Sequence, residues 1–411
     1  MNFDIIVIGA GPAGLCFARS LSGSGLSVAL LESRDVASLG DPDFDGREIA
    51  LTHHSIHLLR QLGIWERIPP DRIHVLRDAL VMDGNVPLRM SLEHTDSHRS
   101  QLGFLVANQE IRRAAFAATL AQDNLTLICG QRVSSIEPGR NLSRVGLADG
   151  RSMTARLVVA ADSRFSESRR AMGIAADSHD FGKTMMVCRM DHEQAHDQVA
   201  WEWFGQGQTL ALLPLSGHQS SVVITLPPVA IRTLMEAPEA EFDAAIEARF
   251  HRRLGWMRLA STRHAYPLVA VYARTFTAER FALVGDAAVG MHPFTAHGFN
   301  FGLLGKDLLA GAIHRAQAAR WDIGGPQELA QYARALRRAT RPLYLATGAI
   351  ARLYTDDRRP ARLVRRTALV AGAGLRPLRR ALVDSLTQAG DSDAATYPFL
   401  GMLRALRHRL P

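Results

Sequence analysis

An α/β fold is what this 411-residue sequence predicts, with a β-rich unit inserted into it and a helical region at its C-terminal end. Three observations predict it. Residues 3–8 are apolar and β-branched and run directly into Gly9-Ala10-Gly11-Pro12-Ala13-Gly14, the strand, tight turn and helix start of a parallel α/β unit. Residues 185–226 hold several short strands. From residue 327 onward the pattern is helical, punctuated by Pro342, Pro360 and Pro377.

In chain order, residues 12–23 are the first expected helix, with Pro12 in the first turn, where a missing N–H costs nothing. Residues 27–31 are a second short apolar strand, and residues 52–62 have helical spacing. Residues 75–92 alternate around an Asp83-Gly84-Asn85 turn, which reads as a hairpin. A helix over 108–121 leads to a strand over 125–129, and residues 133–162 read as a meander turning at Gly139 and at Asp149-Gly150. Further strands are expected over 209–213, 221–226 and 281–284, and a helix begins near Gly298. This assigns residues 1–74, 100–180 and 275–325 to a discontinuous nucleotide-binding domain. Residues 75–99 and 181–274 form the inserted β-sheet domain, and residues 326–411 the helical region.

Apolar residues make up 47% of the chain and charged residues 21%, which permits a full core and argues against extended disorder. The three cysteines, Cys16, Cys129 and Cys188, are far apart and show no CxxC spacing, so neither a disulfide framework nor a zinc site is expected. The first residues lack the basic n-region and long apolar stretch of a secretory signal. No segment approaches the ~20 apolar residues of a membrane span. A cytoplasmic protein, at most peripherally attached to membrane, is expected. The net charge of +8 calls for an anionic partner, and the excess concentrates from Arg334 onward, through Arg337, Arg338, Arg352, Arg358, Arg359, Arg365 and Arg366. No recognised nucleic-acid module accompanies it.

The glycine motif makes the first domain Rossmann-like. Gly9 permits the turn, Gly11 lets backbone approach a pyrophosphate, and Gly14 lets helix and strand pack closely. The helix start presents free N–H groups and partial positive charge to the phosphates. Glu32 ends the second strand, where a carboxylate accepts from ribose hydroxyls, which fits NAD or FAD and disfavours a 2′-phosphate. Far downstream, a strand ends in Gly285-Asp286, followed by His292-Pro293-Phe294-Thr295-Ala296-His297-Gly298-Phe299-Asn300. Asp286 can bond a ribityl hydroxyl, and the backbone from Gly298 to Asn300 can face the O2 edge of a flavin.

The two blocks together resemble the FAD motifs of the group A flavoprotein monooxygenases. The resemblance implies a glutathione-reductase-type FAD domain and a para-hydroxybenzoate-hydroxylase-like fold. Asp162-Ser163, with Ser166 and Arg169, resembles the family's middle motif, which normally reads Asp-Gly; here serine stands in the glycine's place. Gly46-Arg47 resembles the loop whose arginine lies near flavin and pyrophosphate, and Asn108 sits where the family has a flavin-contacting polar side chain. A solvated arginine and an N-cap are the plainer readings of those two. Within the family, Trp203 to Leu215, Tyr266-Pro267-Leu268, and the tail with Arg352-Leu353-Tyr354, Pro360 and Pro377 resemble the UbiH-like ring hydroxylases of ubiquinone biosynthesis. His297, where that group usually has Gln, resembles the UbiM branch of demethoxyubiquinol hydroxylases.

The resemblance implies tightly bound FAD, NAD(P)H as a transient reductant and O2 as co-substrate. An electron-rich ring attacks a flavin C4a-hydroperoxide, with hydroxylation at C5 or C6 of a demethoxyubiquinol favoured. The hard chemistry belongs to the cofactor, so no catalytic acid or base need stand out. The implied cofactor set is Gly9, Gly11, Pro12, Ala13, Gly14, Glu32, Arg47, Asn108, Asp162, Gly285, Asp286, Pro293, Gly298, Phe299 and Asn300. Pro293 and His297 are the candidates beside the flavin ring; His297 is open between a pH-dependent group and a packing side chain. Phe204, Leu212 and Pro214 are candidate substrate walls, although ordinary core burial explains them equally well. No metal site is expected.

The implied partners are a lipophilic aromatic substrate and, through the basic helices, a membrane surface or a quinone-biosynthesis complex. A solvated helix face is the alternative for those helices, and a homodimer stands as the candidate assembly. Competing readings are a hydroxylase of a soluble or polyketide aromatic, a flavin-dependent prenyl reductase, and a non-catalytic flavoprotein subunit. A halogenase is disfavoured because Trp201-Glu202-Trp203-Phe204 lacks the Trp-x-Trp-x-Ile-Pro pattern.

Overall fold

The structure is a computed structural model, and it describes residues 1–84, 89–97, 99–205, 207–292 and 298–355, together with residues 367, 380 and 383. Its first sheet is built on the apolar strand Asn2–Ile8, which pairs in parallel with Val28–Leu31 on one side and Ser152–Ala160 on the other. Leu125–Ile128 and Phe281–Leu283 extend the sheet in parallel on its two sides, and Thr277–Ala278 adds an antiparallel edge beyond the latter. Ile5 to Ile8 and Leu157 to Ala160 are buried on both faces, as the unbroken apolar runs require. The registers put Ile8 beside Leu31 and Ala160, and Ala160 beside Leu283, so four strands end at one edge. The loops leaving that edge carry Gly9 to Gly14, Glu32, Asp162 and Gly285-Asp286, the switch-point geometry at which α/β sheets bind nucleotides.

The first helix, Pro12–Arg19, stops short of the expected residue 23, because a turn follows in which Gly23 and Gly25 both adopt positive φ. The helices His53–Gln61 and Asn108–Leu120 lie where the periodicity put them, the former capped by Thr52. The meander over 133–162 is real up to its last strand, Ser152–Ala160, which joins the parallel sheet.

The second sheet has nine strands and is antiparallel except where Val199–Phe204 runs parallel to Asp78–Asp83. Its longest strand, Ala176–His192, pairs with both Gln219–Leu226 and His264–Ala273. The hairpin over 75–92 appears as Asp78–Asp83 against Arg89–Leu92. One face of this sheet packs Met186, Cys188, Leu210, Leu212, Val222 and Ile224 under the helices Pro228–Glu236 and Glu239–Arg249. The other face looks back toward the parallel sheet.

The C-terminal helix, Pro326–Thr355, runs through Pro342 instead of breaking there. Tertiary contacts hold it: Leu329, Tyr332 and Leu336 are buried, Tyr332 donates to the Leu283 carbonyl at 2.6 Å, and Thr340 pairs with the Tyr272 hydroxyl at 3.0 Å. Those contacts outweigh the ~3 kcal/mol that an interior proline costs. The prolines expected at 360 and 377, and the arginines from Arg358 to Arg366, lie outside the described residues. Among the described residues no helix is long and apolar enough to cross a membrane.

Candidate active site

A cavity of about 1120 Å³ lies between the carboxyl edge of the parallel sheet and the open face of the second sheet. Gly9, Gly11, Pro12, Ala13, Glu32, Arg47, Asn108, Asp162, Gly285, Asp286, Gly298 and Phe299 all line it, although they come from seven separate stretches of chain. Gly14 does not. A Cβ on Gly14 would collide with the Gly9 carbonyl, so its role is close packing of the turn. Gly9 sits at φ +102, and a Cβ there would come within 2.7 Å of the Ala161 carbonyl. At Gly11 a Cβ would meet nothing within 4 Å, so the floor of the turn is open. The helix after it has no side-chain cap, and its first N–H groups face the cavity's nucleotide end.

Glu32 closes that end. Its carboxylate accepts from the Ala10 N–H at 2.8 Å and the Arg34 N–H at 3.1 Å. Burial by itself would raise this carboxyl, but those donors and the Arg34 charge outweigh it and hold it below the usual range. On the opposite wall, Arg47 pairs with Asp45 at 2.6 Å and lies over the Tyr266 ring. Asn108 donates to the same Asp45 carboxylate at 2.7 Å, and the Tyr266 hydroxyl donates to the Asp45 carbonyl at 2.7 Å. Asn108 thus positions the arginine loop through Asp45 and is not a helix N-cap, since Ala107 holds that place.

Asp162 accepts from the Ser166 hydroxyl at 2.5 Å and the Ser168 N–H at 3.0 Å, which fixes the turn leading into Glu167–Ala171. Ser163 sits at φ +103, so the serine standing in the glycine's place takes a glycine-like conformation. Asp286 pairs with Arg164 at 3.1 Å, which brings the middle and downstream motifs together. Asn300 is turned away from the cavity: its amide donates to the Ala50 carbonyl and its oxygen accepts from the Thr52 N–H, locking the helix Gly298–Ala318 against the arginine loop. Pro293 and His297 lie outside the described residues. His292 is described, and burial pushes its imidazole down to about 4.

On the sheet face the substrate-wall expectation needs correcting. Phe204 lines the cavity, but Leu212 and Pro214 do not. Thr209, Ala211 and Leu213 face the cavity, while Leu210 and Leu212 point into the core beneath the two helices. Strand side chains alternate with period two, so an error of one position moves a residue to the other face. Two acidic residues on this wall were missed. Glu48 is fully buried and pairs with Arg189 at 2.6 Å, yet burial outweighs the arginine and raises its carboxyl to about 7. Glu202 also lines the cavity. Its sequence signal was available: a lone acid between tryptophans in an otherwise apolar strand.

Cys16, Cys129 and Cys188 are unpaired, and burial raises the Cys16 and Cys188 thiols to about 12. Among the described residues no cluster suited to a metal ion occurs.

Residues 2–314 match the FAD binding domain family. The chain belongs to that family. It is 42% identical over 391 residues to the ubiquinone hydroxylase UbiM of Neisseria meningitidis, covering 94% of this chain and 85% of that protein. It is 34% identical over 378 residues to the ubiquinone hydroxylase UbiL of Rhodospirillum rubrum, covering 92% and 87%. In fold it is similar to p-nitrophenol 4-monooxygenase PnpA from Pseudomonas putida DLL-E4, with a TM-score of 0.77, 18% identity, and coverage of 96% of this chain and 100% of that one. The family's cofactor fits the residues present. The open floor at Gly11 and the uncapped helix start suit a pyrophosphate, Glu32 suits a ribose, and Asp286 beside Gly298 borders the space for a flavin at the second helix start.

Proposed function

We propose that this chain is an FAD-dependent monooxygenase that hydroxylates the ring of a polyprenylated phenol or quinol of ubiquinone biosynthesis. The observation that carries it is a single cavity joining a dinucleotide cradle to an apolar sheet face made of Phe204, Ala211, Leu213 and Val223. FAD, reduced by NAD(P)H, supplies the activation of O2. Gly11 and the first helix hold the pyrophosphate, Glu32 the ribose, and Arg47, steadied by Asp45 and Asn108, the flavin side of the cofactor. The sheet face orients the ring and keeps water from the reacting edge. The 42% likeness to a ubiquinone hydroxylase over nearly the whole chain favours a quinol over a soluble aromatic. The isoprenoid substrate resides in membrane, and the helix Pro326–Thr355 carries Arg334, Arg338 and Arg341. We infer that this region docks on anionic lipid.

The test is to purify the full chain, record its flavin spectrum, and follow NAD(P)H and O2 consumption with a short-chain demethoxyubiquinol. Product heavier by one oxygen supports the proposal. NAD(P)H oxidation with the quinol returned unchanged would point to a reductase, and folded protein that takes up no FAD would overturn the reading.

A further inference from the structure

Glu202 stands on the cavity face of Val199–Phe204, opposite Ala211, which is opposite Val223, which is opposite Val187. Val187 in turn packs under Gly46 of the arginine loop, where a Cβ would approach it within 2.6 Å. Three strand spacings separate Glu202 from that point, about 14 Å, enough for an aromatic ring and its substituents lying on the sheet. The side chains around it on this face are mostly apolar or aromatic, Phe204, Ala211, Leu213 and Val223, with the hydroxyls of Thr209 and Thr225 among them. Its carboxyl makes no hydrogen bond or ion pair with any described residue. Glu202 is half-buried and its carboxyl opens to the cavity, so it can meet a ligand there.

Resting on the functional reading above, we propose that Glu202 binds a ring hydroxyl of the substrate and takes up its proton. In that step the ring O–H bond breaks, the proton forms the O–H of the Glu202 carboxyl, and the electron pair stays on the ring oxygen. The resulting phenolate is the more electron-rich ring. The proton leaves to solvent when product departs. An apolar, lipophilic phenol or hydroquinone suits this wall, and its methyl ether does not, because the ether has no proton to give.

Burial raises the Glu202 carboxyl to about 8, so it changes charge near the working pH, where a general base acts best. Other titratable groups are few around it. Asp83 shares its sheet face on the neighbouring strand, the facing strand offers only Thr209, Ala211 and Leu213, and Lys183 is bound to the Gly207 carbonyl. Glu48 and Arg189 are paired with each other on the wall beyond.

The experiment compares the full-length FAD-loaded wild type with Glu202→Gln and Glu202→Asp, after equal flavin content confirms that all fold. Binding of a short-chain demethoxyubiquinol and of its methyl ether is read anaerobically from the flavin absorbance. The wild type is expected to prefer the quinol by about tenfold or more, as a hydrogen bond to a charged group allows, and E202Q to lose that preference. Single-turnover oxygen transfer is expected to rise with pH up to about 8 in the wild type, to be flat in E202Q, and to recover partly in E202D. E202Q with unchanged preference and an unchanged pH profile would overturn the inference. Absence of oxygen transfer in all three proteins would overturn the functional reading, while the binding preference would still decide the role of Glu202.

Discussion

Ser163 holds a φ of +103, a conformation in which a side chain is strained and glycine is not. Ser163→Gly is expected to raise stability by about 0.5–1 kcal/mol, the relief of strain being offset in part by the freer unfolded chain, and urea unfolding checks it. The Glu48–Arg189 pair behaves differently. Arg189→Leu leaves a fully buried carboxyl without its cation and is expected to cost about 3 kcal/mol. Replacing both partners, E48Q with R189L, is expected to cost less than R189L alone, and the same unfolding measurement tests that. Glu48 and Glu202 both have raised carboxyls, so these two groups hold more protons in the folded chain than in the unfolded one between about pH 4.5 and 8. Their contribution to stability therefore falls as pH rises through that window, opposed at its acid end by His74 and His292, whose imidazoles burial pushes down to about 4, and Glu202→Gln is expected to flatten its upper part.

The glycine turn separates folding from binding within one element. A Cβ at Gly14 meets the Gly9 carbonyl, whereas one at Gly11 meets open space. Gly14→Ala is expected to destabilise the fold outright, seen as a lower melting temperature. Gly11→Ala is expected to leave the FAD-free chain within about 1 kcal/mol of wild type, while FAD affinity falls by tenfold or more because the methyl occupies the pyrophosphate's approach. A flavin fluorescence titration reads that loss. At the other end of the chain, Pro342 sits inside a continuous helix. Pro342→Ala is expected to stabilise it by about 1–3 kcal/mol, since it restores a backbone N–H and removes the ring's clash. These helix boundaries show the limit of local signals. Gly23 ended one helix earlier than its apolar periodicity suggested, and Pro342 failed to end another because Tyr332 and Thr340 are anchored to the sheet domains.

For the whole molecule, the proposed attachment to lipid predicts that the full chain co-floats with vesicles containing anionic phospholipid and not with neutral ones, and that high salt abolishes it. Both FAD blocks were legible in the sequence because their chemistry is local: a glycine turn after a buried strand, an acid ending the next strand, and Gly-Asp ending a third. That they close around one cavity follows from parallel strands whose carboxyl ends share an edge. The substrate wall was another matter. Which of Ala211 and Leu212 faces the cavity depends on strand parity, which is set by the neighbouring strands and by the helices that cover one face, and both residues are apolar enough for either face. Glu48 and Glu202 likewise look like ordinary surface charges along the chain, and only the packing of the two sheets encloses them. The sequence by itself determined the cofactor cradle, because backbone conformation and helix polarity are local properties. The tertiary structure alone decided the substrate side, because burial is a property of what folds over a residue.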